Sequence, residues 1–143
     1  MSKKNTTNKI ISLLMLNGHK WSAETILLKT FKKLQKLKTK KSFEGLIKLS
    51  LVNTTPSFYI KTLKRRKKIY KEFPFLLPSQ LKQDYGIKNI IHNSKVKNQL
   101  SFYINLTNEI YKSVKMESKS FIKTQEQHKT AFAQKKFANY RWF

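Results

Sequence analysis

Cysteine is absent from this 143-residue chain, which removes disulfides, zinc knuckles and thiol catalysis together. Glycine is almost as scarce. Gly18, Gly45 and Gly86 are the only three, too far apart to assemble a phosphate-cradling loop. Acids are few and scattered, seven Asp and Glu in all, with no paired carboxylates for metal-assisted hydrolysis. His19, His92 and His128 are widely separated and none has a Cys, Asp or Glu neighbour at metal-ligand spacing. No long apolar run is present either. The longest, Ile10 to Leu16, is interrupted by Ser12 and too short to span a bilayer. No small-residue cleavage site follows it, so it does not read as a signal peptide. These absences argue against an enzyme, a metal site, a cofactor and a membrane span. The chain is expected to be soluble and to start at its own N-terminus, with no room for a cleaved transit peptide.

What is abundant is positive charge. Lys and Arg number 31, giving a net charge of +24. Such a surface repels itself unless something neutralises it, so the expected partner is a polyanion. Only three basic residues are Arg (Arg65, Arg66 and Arg141). With plentiful Ile, Phe and Asn, that slant looks like coding from an A/T-rich genome. The same bias does not explain the scarcity of acids, whose codons lie a single base from those of Lys and Asn. The Lys-for-Arg choice is therefore read as mutational and the positive balance as functional.

The length suits one domain with a real core, and hydrophobic periodicity predicts helix almost throughout. Ile10 to Leu16 reads as a short helix stopped at Asn17-Gly18, where left-handed geometry is easiest. A second helix starts near Trp21, burying Ala23, Ile26, Leu27, Phe31 and Leu34 and turning Lys29, Lys32, Lys33, Lys36 and Lys40 outward. Ser42 can cap a third helix, ending before Asn53-Thr54-Thr55-Pro56. Between Ser57 and Pro78 aromatic and β-branched runs bracket a cationic stretch, which reads as a two-stranded ribbon with a basic tip. The tip lacks Gly and Asn, so no tight turn is signalled. Ser79 can cap a fourth helix, weakened by Gly86, and His92 to Gln99 connects it to a fifth with stripe Phe102, Tyr103, Leu106, Ile110 and Val114. A loop from Lys115 to Ser120 leads to a C-terminal helix that Thr124 and Gln127 would open as a capping box. Residues 1–7 are expected as a flexible basic tail and residues 8–143 as a single domain.

Two segments point to nucleic acid. The run Lys64-Arg65-Arg66-Lys67-Lys68 on a ribbon makes an arm able to enter a groove; the plainer reading is a solvated loop. On the C-terminal helix Lys129 and Lys136 share a face with Lys135 beside them, while Ala131, Ala138 and Phe137 share another; an ordinary amphipathic surface helix would also look so. His128 reads as a hydrogen-bond donor to phosphate or ribose. Phe43, Phe102 and Tyr103 have the spacing of buried faces.

The C-terminal string TQEQHKTAFAQKKFANYRWF also resembles the end of the universal small-subunit ribosomal protein number seven family, typically R-E-D-T-H-R-M-A-E-A-N-K-A-F-A-H-Y-R-W. Glu126, His128, Lys129, Ala131, Ala133, Lys135, Phe137, Ala138, Tyr140, Arg141 and Trp142 match. Met15-Leu16-Asn17-Gly18-His19-Lys20 resembles the family's M-x-[DN]-G-K-K, with His19 departing from it. Ser101 to Ile110 resembles S-M-A-E-R-L-A-N-E-L, where Asn108 and Glu109 match and Tyr103 replaces a small residue. The ribbon departs furthest, having no counterpart of the family's Gly pair.

The resemblance covers almost the whole chain, from about Asn8. It implies a mainly α, six-helix single domain with a protruding two-stranded β-hairpin. It also implies binding to the 3′ major (head) domain of small-subunit rRNA, early in head assembly, beside neighbouring ribosomal proteins. The hairpin, Lys64 to Lys68, would lie near exit-site tRNA and the mRNA path. Charge and resemblance together nominate Lys3, Lys4, Lys9, His19, Lys20, Lys33, Lys61, Lys64, Lys115, Lys123, His128, Lys129, Lys135, Lys136, Arg141 and Trp142 for rRNA contact. No membrane partner and no homo-oligomer are expected. The Lys-rich slant without import sequence points to an organellar ribosome, mitochondrial before plastid. The competing class is an architectural nucleoid protein that binds DNA nonspecifically.

Overall fold

Residues 3–37, 42–65, 69–95 and 101–139 are described by the computed structural model. Six helices run in order as α1 (Lys3–Leu14), α2 (Lys20–Lys36), α3 (Phe43–Thr54), α4 (Ser79–Ser94), α5 (Phe102–Val114) and α6 (Lys119–Ala133). Strands β1 (Phe58–Arg65) and β2 (Ile69–Leu76) fall between α3 and α4, and a 3-10 turn (Lys135–Phe137) follows α6. The mainly α fold with one two-stranded hairpin is as the sequence predicts.

Local chemistry sets most boundaries. Asn17 and Gly18 take φ of 51° and 77°, the left-handed region open to Gly and tolerated by Asn, and this separates α1 from α2. Ser42 caps α3, its hydroxyl accepting from the Gly45 amide at 3.3 Å. α5 ends in a Schellman motif. The Glu117 amide donates to the Lys112 carbonyl at 3.0 Å and the Met116 amide to Ser113 at 3.2 Å. Met116 sits at φ 64° where glycine is usual, so the helix ends where the expected loop from Lys115 begins but without a glycine signal.

α5 is the hub, packing on α2, α3, α4 and α6, while α1 closes the far side against α2 and α4. Leu106 and Ile110 from α5 meet Leu27 and Leu34 from α2, Ile47 and Leu51 from α3, and Ile87, Ile90 and Ile91 from α4 in one cluster. Each such burial stabilises by about 1.5–3 kcal/mol. Small hydroxyls fill the crossings. Thr30, Thr54, Thr107 and Ser113 are buried and return their hydroxyls to the carbonyl four residues back, at 2.7–2.8 Å, so the core holds them without unpaired donors. Gly86 lets α4 approach the end of α3. A Cβ there would meet Thr55 Cγ2 at 2.7 Å.

Four expectations change. The first helix begins at Lys3, not near Ile10, so residues 3–7 of the expected tail are helical; the turn before Ile10 propagates from a packed one, each further residue adding a hydrogen bond. α4 is preceded by Pro78 as N-cap, with no side-chain cap, and Ser79 is its first residue. It also runs on to Ser94, taking in the start of the expected connection. α6 starts at Lys119, because Ser118 is extended and its hydroxyl accepts from the Phe121 amide at 3.0 Å. Thr124 caps nothing: it is buried inside α6, donating to the Thr54 and Ser120 carbonyls at 3.1 and 2.9 Å.

Candidate nucleic-acid interface

The hairpin and the C-terminal segment form one surface. Strand pairing runs from Phe58↔Leu76 to Arg65↔Ile69, so Lys61, Lys64 and Arg65 belong to β1. Side chains are described as far as Leu63 on β1 and from Lys71 on β2; Arg66, Lys67 and Lys68 lie outside the described residues. At the hairpin root α6 packs on β1 and the 3-10 turn on β2. Phe73 from β2 is buried against Phe137, ring centroids 5.3 Å apart. The Phe137 ring also carries two ammonium groups, Lys71 at 5.6 Å and Lys136 at 5.1 Å. One ring thus gathers a cation from the hairpin and one from the C-terminal turn, each attracted by the ring's quadrupole. Lys135 lies over Phe132 at 5.1 Å in the same way.

His128 does not face a phosphate through Nε2. That atom accepts the Ser57 amide at 3.1 Å, and the ring stands edge-on to Phe58 at 5.9 Å. A neutral imidazole accepting at Nε2 carries its proton on Nδ1. Its work is to pin α6 to the strand entering the hairpin. Beside it an apolar groove of about 570 Å3 is walled by Phe58, Leu76, Ala131, Phe132 and Ala138.

α6 ends at Ala133, so Lys129 and Lys136 are not two turns apart on one α-helix as their spacing predicts. Gln134 turns the chain, and its amide donates to the Thr130 carbonyl at 3.0 Å. Lys129 is exposed on α6 while Lys136 belongs to the 3-10 turn that reaches the hairpin.

The other nominated residues are spread over the surface. Lys9 is tied to Asp84 on α4 at 3.1 Å, which joins α1 to α4. Lys20 pairs with Glu24 at 3.6 Å along α2, and exposed pairs of this kind are worth little. His19 is exposed, and its carbonyl accepts the Ser22 hydroxyl at 2.8 Å. Lys33 approaches the Tyr103 ring at 5.9 Å and Lys115 the Tyr111 ring at 4.6 Å. Lys61 is exposed on β1 and Lys123 half-buried on α6. Lys3 and Lys4 are on α1, whose first side chains are not described; Arg141 and Trp142 lie outside the described residues. No group of three or more His, Asp or Glu suited to a metal ion occurs among the described residues. No helix among them is long and apolar enough to cross a membrane.

Sequence reasoning missed Lys71 and Phe137 as a pair, although hairpin register places Lys71 two residues from Phe73 and so on its face. It also missed Glu109. Buried on α5, its Oε1 accepts the Ser120 amide at 2.9 Å and the Ser120 hydroxyl at 2.6 Å. This carboxylate holds the first turn of α6 from outside that helix, where negative charge favours the dipole.

The profile of the family described as ribosomal protein S7p/S5e matches residues 1–135. The chain is similar to small ribosomal subunit protein uS7 of Mycoplasma mobile, 32% identical over 137 residues, 96% of this chain and 86% of that one. The corresponding protein of Mycoplasmopsis synoviae is 31% identical over 134 residues, covering 94% and 85%. That of Buchnera aphidicola is 27% identical over 134 residues, again covering 94% and 85%. A profile match over nearly the whole chain, on a helical domain with one hairpin, leaves a single assignment: the chain belongs to the ribosomal protein S7p/S5e family.

Proposed function

We propose that this chain is a structural, non-enzymatic constituent of the small ribosomal subunit that binds rRNA of the 3′ major domain and supports assembly of the head. The observation that carries the reading is the surface at the hairpin root. There Lys71, Lys135 and Lys136 converge on Phe132 and Phe137, in a chain of this family. Ammonium groups take phosphates, and the exposed Phe132 ring and the half-buried Phe137 suit ribose or an unstacked base. Arg141 and Trp142 extend the same segment in sequence and are assigned to the same rRNA. Family membership favours this over the nucleoid alternative, since charge alone serves DNA equally well.

The test is a salt titration of binding to a transcript of the 3′ major domain. Each neutralised phosphate contributes roughly −0.7 to −0.9 to the slope of log affinity against log salt. A steep negative slope with preference over duplex DNA supports the reading, and a flat titration sinks it. The hairpin end, Lys64 to Lys68, is proposed to face exit-site tRNA and mRNA. Replacing those five residues with Ala then disturbs exit-site function more than subunit incorporation, and failure to incorporate rejects that division.

The organellar placement, mitochondrial before plastid, rests on the coding slant alone. The relatives named above are bacterial, so a bacterial-type ribosome explains the same composition. Imaging a tagged chain in its own cells decides between them.

A further inference from the structure

Helix α2 carries a second cationic surface that the hairpin and C-terminal face do not account for. Lys29, Lys32, Lys33 and Lys36 recur at the three- and four-residue steps that place side chains on one helix face. Lys29, Lys32 and Lys36 are exposed, and none of the four is ion-paired with a carboxylate among the described residues. Two of them are not loose. Lys29 and Lys33 approach the ring of Tyr103 on α5 at 6.0 and 5.9 Å. Residues four apart on a helix have Cβ atoms about 5–6 Å apart, and a shared ring restricts where both ammonium groups sit, which lowers the entropy lost when they engage phosphates. Along the same exposed side Trp21 is 77% accessible and Leu28 55%, an aromatic and an aliphatic group beside the cations.

The surface is separate from the one already described. α2 packs on α1, α3 and α5, whereas α6 packs on α3, α4, α5 and β1. On α5 itself Tyr103 is turned to α2 and Glu109 to α6, directions about 120° apart around the axis at 3.6 residues per turn. A polyanion on one face does not cover the other.

We propose that the outer face of α2, with Lys29 and Lys33 seated on Tyr103, is a second RNA-binding surface. It takes the phosphate backbone of an rRNA segment other than the one held at the hairpin root, so that the domain bridges two segments. This rests on the rRNA reading above. The experiment uses the absence of native cysteine. A photo-crosslinker is attached to Leu28→Cys, and separately to Lys129→Cys, in chains incorporated into small subunits. Leu28→Cys should give rRNA adducts at nucleotides distinct from those of Lys129→Cys. Protein adducts alone from Leu28→Cys, or none, overturn the second surface. If Lys129→Cys still yields rRNA adducts, the rRNA reading survives that loss; if neither position does, both fail. In parallel, Lys29→Gln/Lys33→Gln, verified as folded by circular dichroism, should bind the 3′ major domain transcript roughly 5- to 8-fold more weakly per lysine near 0.1 M salt, with a shallower salt slope. Parental affinity and slope would overturn the proposal.

Discussion

Replacing Glu109 with Ala should weaken this domain more than any change on its RNA-facing surface. The Glu109 side chain is 93% removed from solvent, its relative exposure being 7%. Its Oε1 receives two donors from Ser120, the backbone amide at 2.9 Å and the hydroxyl at 2.6 Å. Ser120 is itself fully buried, the second residue of α6 behind the Ser118 cap. A hydrogen bond to a charged group contributes about 1.5–3 kcal/mol, and a buried amide left without an acceptor costs about 1–3 kcal/mol. The Ser120 hydroxyl keeps partial compensation, since the Asn89 carbonyl lies 3.4 Å away as an alternative acceptor. The loss for Glu109→Ala is then about 3–5 kcal/mol, a large share of the 5–15 kcal/mol typical of a domain. Glu109→Gln retains an acceptor oxygen and should lose about 1–2 kcal/mol. Urea unfolding followed by circular dichroism measures both, and a midpoint shift at constant slope identifies a stability effect. Ser120→Ala in a double-mutant cycle should show coupling with Glu109→Ala, because both remove the same hydroxyl contact. Glu109→Ala within 0.5 kcal/mol of the parent, about the scatter of ordinary surface substitutions, would refute the reasoning.

Gly86→Ala improves helix propensity by about 1 kcal/mol but drives a methyl against Thr55 Cγ2, so thermal melting should show a net loss of about 1–2 kcal/mol. Adding Thr55→Ser, which deletes that Cγ2, should restore or exceed parental stability; no rescue would mean the clash is not the cause. Met116→Gly relieves a left-handed residue in the Schellman turn and should stabilise by up to about 1 kcal/mol, checked by the same melts. His128→Ala strands the Ser57 amide at a cost of about 1–2 kcal/mol, and hydrogen exchange should show faster exchange at Ser57 and neighbouring amides of the hairpin root. Arg141→Lys keeps the charge but loses the planar fork, so binding to the 3′ major domain transcript should weaken measurably by filter assay.

The helices were legible because their buried stripes repeat at helical spacing, as Ala23, Leu27 and Leu34 do on α2. The hairpin was legible from its β-branched and aromatic runs, although the extent of β1 through Lys61 to Arg65 was not. A cationic run on a pairing strand looks the same in sequence as a solvated loop, and only the partner strand distinguishes them. Thr124-x-x-Gln127 imitates a capping box, whereas the start at Lys119 is set by the Ser118 cap, which has no Glu or Gln three residues on, and is held by Glu109 from another helix. That is a tertiary contact with no local signature. The end of α5 at Val114 was legible from the loop that starts at Lys115, although the left-handed stop at Met116 lacks the usual Gly. At the candidate site, sequence supplied the cations but not their seats. The sequence offers His128 as a donor to phosphate or ribose, whereas its Nε2 accepts an amide that lies far away in the chain. Lys129 and Lys136 were placed on one helix because periodicity cannot see the turn at Gln134.

The most direct test of the central claim is to crosslink a tagged chain in its own cells with ultraviolet light, purify it under denaturing conditions and sequence the attached nucleic acid. The account predicts small-subunit rRNA with adducts concentrated in the 3′ major domain, and co-sedimentation of the uncrosslinked chain with small subunits. Recovery of DNA, or of RNA with no enrichment for that domain, would contradict it.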